Sequence, residues 1–285
     1  MNKTTDAATL NGVPRGMTAA VVNYFASRGI RVMLSIGGIT FVSDWNTALA
    51  RDAAALGRNA AELAHALGTG IEIDYEENRS PNLAGLEAFI TAYRAYVHTD
   101  GMGTQYDATG SNPAARLTID LAAGDRWLID ITRKATAYWL GTTGQNPAVA
   151  LDYANAMVPA RQPNSATDAQ ANWQEHVDGK PQYSPPIPPL APARFTGSLY
   201  LLSRNKPTPE CLKFSGSLED TTGNYVQSVV SSKISGASAG MLGYMFWAAE
   251  CPGSGCTVPP NDCKGGVGVG SQVYMIGPMQ PLRQY

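Results

Sequence analysis

Glu72, Asp74 and Glu76 stand at strict two-residue spacing in the run Gly70-Ile71-Glu72-Ile73-Asp74-Tyr75-Glu76, and the residues between them favour strands. In a β-strand, positions i, i+2 and i+4 share one face, so these carboxylates line up along about 13 Å of it. Three acids that close repel one another, and at least one is expected to keep a proton near neutral pH. A proton held in that way is what a general acid requires. The competing possibility is the solvated face of an edge strand that happens to carry a charge run. A second strand-like run, Ile30-Arg31-Val32-Met33-Leu34-Ser35-Ile36-Gly37-Gly38, precedes the acids. One long alanine-rich helical segment joins the two runs, which makes a strand–helix–strand unit.

The same alternation continues along the chain and implies a parallel sheet with helical crossovers. Periodicity predicts helices over residues 18–28, 44–67, 83–97, 127–140, 166–177 and 225–233. Strands are predicted over 31–36, 71–75, 116–122, 148–158, 195–203 and 241–247. Gly29 and Gly68 follow the first two helices as stop signals, and a proline-rich loop spans 181–192.

With 285 residues the chain can bury one large core, and its 21 basic and 23 acidic residues give a net charge of −2. That balance gives no reason to expect nucleic acid or an anionic membrane as a partner. No apolar run reaches the roughly 20 residues that span a bilayer. The first residues, Met1-Asn2-Lys3-Thr4-Thr5-Asp6, are polar and do not form a signal peptide. Cys211, Cys251, Cys256 and Cys263 are even in number and three of them crowd the tail. Four cysteines allow three pairings, among which sequence does not choose. Their spacing is poor for zinc, and His65, His98 and His176 lie far from them in sequence. Neither a metal nor a cofactor is therefore expected.

Four segments in order resemble glycoside hydrolase family 18, the chitinases and their relatives. Ser35-x-Gly37-Gly38 is similar to the family's third strand. Thr69-Gly70-Ile71-Glu72-Ile73-Asp74-Tyr75-Glu76 is similar to its fourth, Asp-Gly-x-Asp-x-Asp-x-Glu. Asp152-Tyr153-Ala154-Asn155-Ala156-Met157 resembles the sixth strand, and Gly243-Tyr244-Met245-Phe246-Trp247 the eighth. Together they cover roughly residues 17 to 250. The resemblance implies an α/β fold of the TIM type, a (β/α)₈ barrel. Only six strands are evident and the first two are missing, so the barrel is expected to be incomplete unless the tail run 272–276 substitutes for one. The barrel domain is expected over residues 1–250, with a Cys/Gly/Pro-rich tail over 251–285 packing on it.

What the resemblance implies about chemistry is a substrate-assisted, retaining hydrolysis of β-1,4-linked N-acetylglucosamine polymers, chitin or its oligosaccharides. Glu76 is then the proton donor, Asp74 the group that orients the acetamido N–H, and Glu72 the supporting acid. Trp247 is expected as the floor of the sugar site, with Met157, Tyr75, Trp45 and Asp120 as further substrate contacts. Trp247 and Trp45 also suit core aromatics. Ser35, Gly37 and Gly38 are expected to shape the surroundings of the acids. The family also implies secretion, disulfides and a monomer whose partner is the polysaccharide alone. Two departures favour an alternative, a chitinase-like binding protein with little or no hydrolysis. Thr69 replaces the first Asp of the fourth-strand motif, and Pro159-Ala160 stand where many relatives carry Tyr-Asp.

Overall fold

The structure is a computed structural model, and it describes residues 9–10, 13–14, 18–122, 127–141, 146–157, 166–200 and 243–247. The chain is an α/β protein whose longer strands run parallel. The described residues gather into two compact units. The first comprises residues up to 120 together with 146–152. The second holds 121–122, 127–141, 153–157, 166–200 and 243–247.

In the first unit, β1 (Thr9–Leu10) and β2 (Val13–Pro14) form a short antiparallel pair where the sequence reading expects no strand. Asn11-Gly12 between them is a sequence signal for a tight hairpin. Helix α1 (Ala19–Ala26) is N-capped by Thr18, whose hydroxyl accepts from Val21 N. Then come β3 (Met33–Gly37), α2 (Val42–Leu67), β4 (Gly70–Asp74), α3 (Leu83–Arg94) and β5 (Leu117–Ala122), the last leading into the second unit. Strands β3, β4 and β5 pair in parallel, and α2 and α3 are the crossovers that this pairing demands. The two helices meet closely at small residues. A methyl group at Gly57 would lie 2.3 Å from Phe89 O, and Ala60, Ala61 and Ala64 are buried beside Leu86, Phe89 and Ile90.

Helix α2 is kinked rather than continuous. Asp52 leaves helical geometry (φ −165°, ψ 82°) and its carboxylate accepts from Ala55 N at 2.8 Å. It thus caps a second helical segment inside the first, a role that suits Asp better than a mid-helix position does. Helix α3 ends three residues short of expectation because the chain turns there: Val97 bridges Gly103, and His98 N donates to Met102 O.

In the second unit, α4 (Ile129–Lys134) continues into a single π-turn over Ala135–Trp139. After it come β6 (Ala154–Met157), α5 (Ala166–Asp178), β7 (Phe195–Tyr200) and β8 (Gly243–Trp247), with β6, β7 and β8 parallel. The expected strand over 148–158 shortens to four residues because Pro147–Val149 forms a 3₁₀ turn capped by Asn146. Trp139, Trp173 and Phe195 fill this core. Strand β7 passes directly over Trp173, and a methyl group at Gly197 would sit 2.2 Å from its indole. The cysteines, the helix expected over 225–233 and the tail over 251–285 all lie outside the described residues.

Candidate active site

Strand β4 separates its side chains by period two. Ile71, Ile73 and Tyr75 are fully buried, whereas Glu72, Asp74 and Glu76 are half-buried on the opposite side. Parallel register extends this second face across neighbouring strands. Ser35, Glu72 and Thr118 stand in one row, and Gly37 pairs with Asp74 in the next. Asp120 follows Thr118 by two residues and so shares the face; it is only 6% exposed. Four carboxyl groups therefore meet at the carboxyl end of β4 and β5.

Their electrostatics follow from burial and mutual repulsion. Asp74 is pushed from its ordinary value of 3.8 up to about 7, first by burial and then by the charges of Glu76 and Glu72. A hydrogen bond with Glu76 adds to the effect. Asp120 is raised well above the usual range by burial, by Glu72 and Asp74, and by a hydrogen bond with Glu72. Two carboxyls hydrogen-bond only when one of them carries a proton, so contact within each pair favours keeping one. Asp74 Oδ1 and Asp120 Oδ1 are buried and, among the described residues, have no hydrogen-bond partner. Such oxygens carry a desolvation cost that a ligand N–H or O–H would relieve.

The surroundings fit the acids closely. A methyl group at Gly37 (φ +133°) would lie 1.9 Å from Asp74 O, and Gly38 (φ +99°) donates its N–H to the same oxygen at 2.9 Å. Only glycine permits both that φ and that approach. Thr69 is fully buried, and its hydroxyl donates to Val32 O, a bond that an ionised Asp at this position could not make.

Asn46 is a positioning residue that sequence reading missed. The Tyr75 hydroxyl donates to Asn46 Oδ1, while Asn46 Nδ2 donates to Glu77 Oε2 at 2.9 Å. Both neighbours of Glu76 are thereby anchored to one side chain of α2. Glu77 also accepts from Arg79 N at 2.7 Å, and these bonds hold its carboxyl below the ordinary range. The signal was thin, since Asn46 lies 30 residues before Glu76 and only the fold brings them together.

Two expected sugar contacts are buried aromatics. Tyr75 is 1% exposed on the side of β4 opposite the acids, and its hydroxyl also accepts from Asn82 N at 3.1 Å. Trp45 is 4% exposed, donates to Ile36 O at 3.2 Å, and stacks near Tyr75 and Phe89 with ring centroids 5.5 Å away in each case. Both are core aromatics, because strand alternation turns Tyr75 toward the helices and Trp45 packs there with it. Met157 ends β6 half-buried in the second unit. Trp247 ends β8 opposite Tyr200, and its side chain lies outside the described residues. No family model, curated protein or solved structure matches the chain.

Proposed function

We propose that the protein is a retaining glycoside hydrolase acting on β-1,4-linked N-acetylglucosamine polymers, with its parallel strands belonging to a (β/α)₈-type barrel. The observation that carries this is the convergence of Glu72, Asp74, Glu76 and Asp120 on one face at the carboxyl end of β4, the end where barrel active sites form. Glu76 donates its proton to the glycosidic oxygen as the bond to the anomeric carbon breaks. The acetamido oxygen of the same sugar attacks that carbon and forms an oxazolinium ion. Asp74 accepts the acetamido N–H through an oxygen that has no partner among the described residues and offsets the positive charge that develops. Water then opens the ion, and the Glu76 carboxylate takes the proton back. The Glu72–Asp120 pair keeps further negative charge beneath Asp74. Trp247 offers the sugar a flat face in this scheme, and the protein acts as a secreted monomer without a cofactor. Release of reducing ends from chitooligosaccharides is the direct test; absence of cleavage together with absence of binding sinks the proposal.

A second reading, a binding protein that hydrolyses poorly, is favoured by Pro159-Ala160, which supply neither the hydroxyl nor the carboxylate usual for the resembled family. Retention on chitin without product release selects it.

Activity on chitooligosaccharides is expected to fall as pH rises through about 7, where the Asp74–Glu76 proton is lost. The same group makes stability pH-dependent. Its folded value lies above the ordinary 3.8, so its contribution is complete below about 4 and lost as pH climbs through about 7. Asp74→Asn should flatten that decline in a series of thermal melts. Melts of wild type and mutant that run parallel from pH 4 to 8 would remove the shared proton. Substrate specificity gives a further expectation: with the acetamido group as nucleophile, cellulose should be inert. Glucose oligomers appearing from cellulose at a rate near that for chitin would exclude the substrate-assisted route.

A further inference from the structure

We infer that His65, His98 and Asp100 form a surface site for a divalent transition metal of zinc's class. His65 lies in the last turn of α2, and His98 and Asp100 lie in the turn that follows α3. That turn is built to hold its ligands. Met102 N donates to Asp100 Oδ1 at 2.8 Å, Gly101 N donates to His98 O at 2.9 Å, and Gly101 takes a φ of +84° that favours glycine. The Asp100 carboxylate then spans both rings. His65 Nε2 stands 3.1 Å from one of its oxygens and His98 Nδ1 3.2 Å from the other. The imidazoles stack with centroids 4.1 Å apart and planes 29° from parallel.

One donor atom from each residue lies within 4.8 Å of the other two. Two neutral imidazole nitrogens and a carboxylate oxygen suit Zn²⁺, Co²⁺ or Ni²⁺ rather than Mg²⁺ or Ca²⁺, which prefer all-oxygen sets. Binding at about 2.0–2.2 Å requires the two rings to turn so that their lone pairs converge. They can do so, because the His65 and His98 side chains are 22% and 38% exposed. The long contact from Asp100 N to His98 Nδ1, 3.4 Å, yields in the process. Water completes the coordination from the open side. The metal pins the end of one crossover helix to the turn after the next, clamping α2 and α3 together at the end away from the acid cluster's loop.

The test uses the full chain, stripped with chelator and titrated with Zn²⁺ and, in parallel, Co²⁺. One metal per chain should bind through nitrogen and oxygen, and a hundredfold excess over Kd should raise Tm by roughly 5 °C. His65→Ala should abolish that increment. His98→Phe should do the same while keeping a ring to stack on His65, so a folding defect is separable from a lost ligand. Metal held by Cys211, Cys251, Cys256 or Cys263 would instead give a thiolate-to-cobalt charge-transfer band and survive both substitutions. That result, or the absence of any Zn²⁺-dependent shift in Tm in the wild type, overturns the assignment and leaves a histidine–aspartate cluster only.

Discussion

Glu76→Gln should abolish hydrolysis of chitooligosaccharides while leaving the fold and sugar binding intact. Glu76 lies two residues past the end of β4 and is half-buried, and the segment around it is fixed through Tyr75 and Glu77. Glutamine is nearly isosteric and can still hydrogen-bond Asp74. It cannot deliver a proton to a leaving oxygen. General acids typically contribute about 10²–10⁴ in rate, so the mutant should fall by at least that factor in kcat with KM little changed. Residual activity above about a tenth of wild type would mean that another group, Asp74 or Glu72, carries the proton.

Arg94→Met should produce the largest loss of stability. Arg94 is 3% exposed and its guanidinium binds four partners at once. Nε donates to Ala150 O at 2.8 Å, Nη1 to Thr104 O at 3.2 Å and to Ala115 O, and Nη2 to Asp152 Oδ2 at 3.1 Å. The same Asp152 oxygen accepts from Leu117 N at 2.7 Å, so the network fixes where β5 starts and hence where Asp120 stands. Methionine fills the stem's volume but removes the guanidinium's bonds to three carbonyls and leaves the Asp152 carboxylate without its counter-charge. Removing one partner of a buried pair costs about 3–5 kcal/mol. Urea denaturation should register a loss of that size, and Arg94→Lys a smaller one, because the ammonium keeps the charge without the planar fork. A loss below about 1 kcal/mol would place the network among weakly contributing ion pairs.

The parallel strands among the described residues are readable from sequence because their apolar residues alternate or run continuously, and Gly29 and Gly68 mark where helices stop. Residues of the acid row were legible for the same reason, since period two alone puts Glu72, Asp74 and Glu76 together. Asp120 joins them through strand register, which spacing along the sequence does not show. What remained hidden depends on contacts between distant residues. Arg94 and Asp152 are 58 positions apart, and nothing in either local pattern announces a buried pair. His65 and His98 read as isolated histidines until α2 and the turn after α3 bring them face to face. Tyr75 and Trp45 are buried, and an aromatic beside an acidic motif suits sugar and core equally well. Strand parity decided for Tyr75: as the odd neighbour of two even acids it had to point the other way. The break in α2 at Asp52 escaped notice because the alanine-rich run around it keeps one helical period across the kink.

The parity of β4 also separates what can change from what cannot. Odd positions are committed to a filled core in which even one methylene is felt. Even positions project into a space bounded by other carboxyls, where a residue's length and charge can be altered without moving the backbone. Glu72 carries one methylene more than an aspartate and reaches Asp120, while Ile71 and Ile73 on the opposite face are fully buried. New reaction chemistry could therefore be written on this strand at the even positions one residue at a time, with the odd positions serving as an unchanged foundation for every version.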